Sequence, residues 1–220
     1  MSERKQELVV NEIYHVFNRG TDKRTIFLDA QDFLYFLDSL QILNLDYVEE
    51  GKRTMQYKKN RGELEKARVL VEIIAYCLNP NHFHLMLRQI ADNGISRFMQ
   101  RVGTSYAMYF NQKYNRSGSL FQGKFKSVHV ATDGQLNHLS VYINLNNRVH
   151  KITSAKQYRS SWHEYAEVDF VGAKICSGTG VVLGNFKNKK DYEKFAETKL
   201  GGIVEKRNRE KEPEKSVFLE

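Results

Sequence analysis

Only two cysteines occur in the 220 residues, Cys77 and Cys176, far apart and without a CxxC pair, so neither a disulfide framework nor a cysteine zinc site is supported. A reducing, cytoplasmic setting is the expectation that follows. Uncharged runs of membrane-spanning length are also missing, and the N-terminus MSERKQELVV turns apolar only briefly before Asn11 and Glu12; a soluble chain without a sorting signal is expected. No internal repeat is evident, and no GxxxxGK(S/T) loop is present, which removes the usual nucleotide-phosphate cradle.

Hydrophobic residues make up 41% of the chain, enough for a real core in one domain of ordinary size plus an appendage. Lys and Arg number 34 against 26 Asp and Glu, and the net charge of +8 favours a polyanionic partner, nucleic acid first among them.

Alternation over Glu12–Asn18 predicts a first strand, and Asp29 caps a helix with Phe33, Phe36, Leu37, Leu40 and Leu43 at helical spacing. Asp46 to Arg68 is charged and irregular, an excursion with one short helix near Glu63–Ala67. Val69–Leu78 is a buried strand that Asn79-Pro80-Asn81 turns into a second, His82–Arg88. Gly94 opens a helix whose stripe runs from Ile95 to about Phe110; a Gly-rich loop, a strand near Phe125–Ala131 and a helix from Asp133 to about Arg148 follow. This order predicts an α+β, ferredoxin-like (split βαβ) antiparallel sheet with helices on one face. The expected divisions are a catalytic domain over 8–166, a small extension with a short helix over 167–200, and a charged, disordered tail over 201–220.

The stretch NPNHFHLML places His82 and His84 on one strand face with Met86, and Phe83, Leu85 and Leu87 on the other. Two such imidazoles can reach one cation, although hydrogen-bonded histidines without a metal are the plainer reading of a bare HxH. A histidine-triad nucleotide hydrolase would want a third histidine where Met86 stands. Downstream, Tyr142 and Asn146 lie four apart and share a helix face, in a segment whose four asparagines make it an indifferent helix by propensity.

Taken in order, YHVFNRG (Tyr14–Gly20), IFLDAQDFLYFL (Ile26–Leu37), AYCLNPNHFHLML (Ala75–Leu87), ISRFMQRVGTSYAMYFN (Ile95–Asn111), GSLFQGKFKS (Gly118–Ser127) and VYINLNNR (Val141–Arg148) resemble the single-tyrosine transposases of the HUH superfamily, nearest to the REP-associated tyrosine transposases and their insertion-sequence relatives. The resemblance covers about the first three quarters of the chain, and YRSSWHEY at Tyr158–Tyr165 fits its ending. It implies that Tyr142 is the nucleophile and that His82, His84 and Asn146 hold a divalent metal, Mg²⁺ or Mn²⁺. Relatives often carry Pro where this chain has Asn147, and without it the helix is expected to run on.

The same resemblance implies nicking and rejoining of single-stranded DNA, at hairpin-containing sites, through a 5′-phosphotyrosine. A homodimer is implied too, with the tyrosine helix beside the histidines of either subunit. The alternative is a domesticated, non-catalytic DNA-binding protein on the same fold. Arg97, Arg101, Lys113, Tyr114, Arg116, Lys124 and Lys126, interleaved with aromatics, form the candidate DNA-binding patch. His15, a lone histidine on an alternating strand, stays outside the metal set, and the residues after Val168 suggest no mechanism.

Overall fold

The computed structural model describes residues 7–46, 69–168 and 173–211. Most of the charged excursion, including the short helix expected at Glu63–Ala67, lies outside the described residues. Five strands, β1 (Ile13–Arg19), β2 (Val71–Asn79), β3 (His82–Gln89), β4 (Lys126–Val130) and β5 (Arg159–Ser160), form one sheet in the order β4-β1-β3-β2-β5. All four pairings are antiparallel. The first four strands have the ferredoxin-like order, and α1 (Ala30–Ile42) and α2 (Gly94–Lys113) are its two crossover helices.

Local chemistry explains each boundary. Asp29 accepts from the Asp32 amide while the Asp32 carboxylate accepts from the Asp29 amide, a reciprocal cap that starts α1. Pro80 closes the β2–β3 turn, and its carbonyl accepts from the amides of Ile26 and Phe27, so the chain after β1 is stitched to that turn. Phe33, Phe36, Leu40, Phe98, Val102 and Tyr106 pack on Tyr14, Val16, Phe83, Leu85 and Leu87. The expected split of β3 therefore holds, with its apolar set facing the crossover helices.

The fold class stands, but the opposite face is not bare. It carries a second layer: α3 (Asp133–Asn144), α4 (Asn146–Val149), α5 (Trp162–Tyr165), α6 (Gly180–Leu183) and α7 (Lys189–Lys211). Val141, Ile143, Tyr165, Val182, Tyr192, Ala196 and Ile203 join Ile74, Ala75, Cys77 and Met86 in a second core. The reason lies in β2, whose residues from Ile73 to Asn79 are all buried, leaving no polar face to meet water. The C-terminal residues thus form part of this layer instead of an appended unit. α7 continues through 201–211, where a disordered tail was expected, because Ile203 docks in the core and Arg207 donates to the Val149 carbonyl. Residues 212–220 lie outside the described residues.

One irregularity matters for the site. The register of β2 on β3 shifts between Ile73 and Ala75, leaving Ile74 as an extra residue. Ile73 opposes Leu87 on the crossover-helix face, whereas Cys77 opposes His84 and Asn79 opposes His82. Side chains change face with each residue, so the bulge delivers Asn79 to the histidine side.

Candidate active site

Histidines 82 and 84 project from β3 beneath α3 and α4, with ring centroids 5.1 Å apart. Their position follows from alternation in a strand whose other face is wholly committed to the first core. From β1, the same face receives His15, Phe17 and Arg19, the Cα partners of Met86, His84 and His82. Tyr142, half-buried on α3, packs edge-on against His84 at 5.4 Å and against His15 at 6.1 Å. A single chain thus places Tyr142 beside its own histidines.

The helix does not run on as the missing proline predicts. α3 ends at Asn144, Leu145 leaves helical geometry (φ −109°, ψ 18°), and α4 restarts at Asn146. Asn144 is held sideways, donating to the Tyr192 hydroxyl at 2.9 Å and accepting from the Ser161 hydroxyl at 2.6 Å. Those bonds, with poor helix formers around them, break the helix without a proline. Asn146 is nevertheless fully buried with its Oδ1 3.3 Å from His82 Nε2.

Polar contacts fix the hydrogen-bonding state of the site. Asn81 donates through Nδ2 to the Lys23 carbonyl at 3.2 Å, which turns its Oδ1 toward His82 Nδ1 at 2.6 Å. Nδ1 therefore carries the proton and Nε2 the lone pair. That lone pair faces another acceptor, Asn146 Oδ1, and the Asn79 amide donates to both, at 3.1 and 2.6 Å. Asn146 Nδ2 is buried without a hydrogen-bond partner among the described residues. His84 Nδ1 lies 2.8 Å from His15 Nε2. Burial, reinforced by neighbouring His15, His82 and His150, holds His84 well below the usual histidine range; burial lowers His82 as well and takes His15 to about 4. All three are neutral at pH 7, the form in which imidazole ligates.

Two acceptors converging on one donor, beside a second neutral imidazole, suit a small cation. Among the described residues no three His, Cys, Asp or Glu side chains form a metal cluster; the set here depends on an amide oxygen. Met86 is packed in the apolar core, which leaves no third histidine on β3 for a histidine-triad site.

The expected DNA-binding residues divide. Lys113 is bonded to Asp29, Asp32 and Tyr109, and the Tyr114 hydroxyl donates to Asp32 at 2.9 Å. Arg97 pairs with Asp46, and Arg101 donates to the Leu45 carbonyl at 2.7 Å. Arg116 lies over the Phe110 ring and donates to Asn111. Lys113, Tyr114, Arg97 and Arg101 tie α2 and its C-terminal end to α1 and the segment after it, and Arg116 folds back on α2 itself, so the structure does not bring these groups to the histidines. Lys126 does reach the histidine side, opposite Phe17 on the edge strand, and Lys124 is exposed just before it. Gly123 (φ +70°) turns that loop, whose Gln122 side chain accepts from Arg19.

Several residues outside the sequence-based set join the site. His15, which the sequence leaves out of the metal set, comes from β1 with Arg19, and Asn79 and Asn81 come from the flanking strand and turn. His150 follows α4, its ring 4.6 Å from His82, and Arg207 of α7 donates to His150 Nδ1 at 2.9 Å. The alternation of YHVFNR already places His15 and Arg19 on one face, a signal that becomes usable once β1 is known to pair with β3. Asn79 needs the bulge, and Arg207 needs the second layer; neither has a local signal.

Among known proteins, residues 53–146 match the family model described as "Transposase IS200 like". No curated protein sequence matches the chain. Among solved structures, a REP-associated tyrosine transposase bound to a REP hairpin has a TM-score of 0.51 at 15% identity, covering 81% of this chain and 96% of that one. A Deinococcus radiodurans R1 structure described as a transposase covers 70% of this chain and 100% of its own at 12% identity, with a TM-score of 0.37 that adds nothing to the fold assignment. No described helix is long and apolar enough to cross a membrane. Residues 53–146 are thus similar to the IS200-like transposases, and the surrounding five-stranded α+β fold is shared with the REP-associated structure.

Proposed function

We propose that the chain is a metal-dependent endonuclease and strand transferase acting on single-stranded DNA beside a hairpin, with Tyr142 as the nucleophile. The observation that carries this reading is the convergence, within one chain, of Tyr142 on His84 and of Asn146 Oδ1 on His82 Nε2. A neutral phenol is a weak nucleophile and needs an activated phosphorus. Mg²⁺ or Mn²⁺ held by His82, His84 and Asn146 would supply that activation by polarising a non-bridging phosphate oxygen. Mixed imidazole and amide ligation suits Mn²⁺ at least as well as Mg²⁺.

The chain's own residues do the rest. Tyr142 Oη gives up its proton and attacks the phosphorus, the phosphorus–O3′ bond breaks, and the 5′ phosphate stays on tyrosine while the 3′ oxygen takes up a proton and leaves as a hydroxyl. The bond energy is retained for rejoining, which fits a chain without a nucleotide-phosphate loop. Arg19, Lys124 and Lys126, on the histidine side or the loop leading to it, supply cationic contacts for the DNA backbone. Hairpin DNA is the substrate form suggested by the structurally similar transposase, which was solved with one. Because the four residues meet inside one chain, the proposed chemistry needs no tyrosine from a second copy.

Labelled single-stranded DNA carrying such a hairpin, incubated with Mn²⁺, should yield a protein–DNA adduct that Tyr142→Phe and chelator abolish. DNA that binds with salt-sensitive affinity yet never becomes linked would favour the non-catalytic alternative. An undiminished adduct in Tyr142→Phe would refute the Tyr142 assignment.

A further inference from the structure

We propose that His15 and Asn81 are the positioning residues of the candidate metal site, each engaging Nδ1 of one histidine so that both histidines keep Nε2 as the ligand nitrogen. The inference rests on the metal-dependent reading above and extends it to two residues outside the proposed ligand set.

For His82 the chain of contacts leaves one tautomer. The turn after β1 holds Asp22 and Lys23 at φ +54° and +59°, a left-handed conformation that residues other than glycine seldom adopt and that surrounding contacts must impose. The Gly20 amide donates to the Asn81 carbonyl at 2.9 Å, and Lys23 presents its carbonyl to Asn81 Nδ2. The amide cannot be turned over without losing that bond, so Oδ1 faces His82 Nδ1 and requires a proton there. His82 Nε2, with its lone pair, is the nitrogen that meets Asn146 Oδ1. The strained turn thereby aims a ligand several residues away in space.

For His84 the partner is His15, reaching diagonally from β1 at 2.8 Å. Between two neutral imidazoles one donates and the other accepts. With His84 Nδ1–H donating to His15 Nε2, both candidate ligands have the same tautomer. Phe17 (4.8 Å) and Tyr142 (6.1 Å) pack against the His15 ring and restrict its rotation. Outer partners of this kind typically contribute about 10- to 100-fold in metal affinity.

The test uses metal-free full-length protein labelled with ¹⁵N-histidine, read by long-range ¹H–¹⁵N correlation, alongside Mn²⁺ titration by electron paramagnetic resonance. In the wild type, His82 and His84 should both show the neutral Nδ1–H pattern. Asn81→Leu should disturb the His82 pattern and His15→Leu the His84 pattern, each weakening Mn²⁺ binding about 10- to 100-fold. Asn81→Asp and His15→Gln, which keep an acceptor in place, should restore the pattern and most of the affinity. Unchanged tautomers in the leucine variants overturn the proposal, as does Mn²⁺ affinity within twofold of wild type. Weaker binding with unaltered tautomers overturns it too, since that marks a merely structural role. If wild type binds no Mn²⁺, the metal-dependent function fails, while the metal-free spectra still decide the tautomer assignment.

Discussion

At the scale of single residues, the site is built from groups whose neutrality is enforced by burial. His15, His82 and His84 all have histidine pKa values lowered in the folded protein, His15 to about 4. The unfolded chain, with histidines near 6.5, then binds more protons than the native state between those values, so stability falls as pH drops from about 7 toward 5. A loss on the order of 2 kcal/mol from His15 is expected by pH 5, with His82 and His84 acting in the same direction, measured by urea unfolding at the two pH values; equal stability at both would contradict the burial argument. Asn146→Ala removes the amide oxygen opposite His82 Nε2 and should lower Mn²⁺ affinity at least tenfold while leaving DNA binding within a few fold. Equal loss of both would mean that Asn146 only supports the fold.

At the scale of elements, the second helical layer places Tyr142 and Asn146, and one buried tyrosine links α7 to it. The Tyr192 hydroxyl contacts Ser140 at 3.0 Å and accepts from Asn144 at 2.9 Å, and its ring lies against Tyr165. Tyr192→Phe strips Ser140 and Asn144 of that partner and should destabilise the protein by about 1–3 kcal/mol in denaturant unfolding. No measurable change would show that water or rotation satisfies those groups. The bulge at Ile74 is equally consequential: deleting it would swing Asn79 and Cys77 onto the crossover-helix face or drag the register of β2 with it. The deletion variant should lose the cooperative unfolding transition.

The elements differ in how far local sequence reveals them. Strong alternation and caps make β1, α1, β3 and α2 readable, because Asp29 and the Phe83, Leu85, Leu87 set act through nearest neighbours. His82, His84, Tyr142 and Asn146 were legible by pattern and resemblance. The break at Leu145, the bulge at Ile74 and the entry of Arg207 depend on partners distant in the chain, which no local period reports. The basic patch differs again: Lys113 and Tyr114 have the composition of a DNA surface, and in the fold they bond to Asp29 and Asp32, partners that the local sequence does not report.

At the scale of the whole molecule, a sheet covered on both faces gathers neutral imidazoles and amides between β3 and the second helical layer, in a chain of net charge +8. Association with single-stranded DNA should therefore weaken steeply with salt; Lys126→Ala should reduce that salt slope by about 0.7, whereas Lys113→Ala should leave it unchanged. Equal slopes for Lys126→Ala and wild type would remove the histidine-side loop from the DNA path. The central claim, covalent capture of DNA by Tyr142, is tested most directly by peptide mapping of the protein–DNA adduct. Tryptic cleavage after Lys126 and Arg148 isolates Ser127–Arg148, in which Tyr142 is the only tyrosine. A nucleotide phosphate on that peptide, at Tyr142, is the predicted result; the same mass on a peptide carrying Tyr109 or Tyr114 would contradict the account.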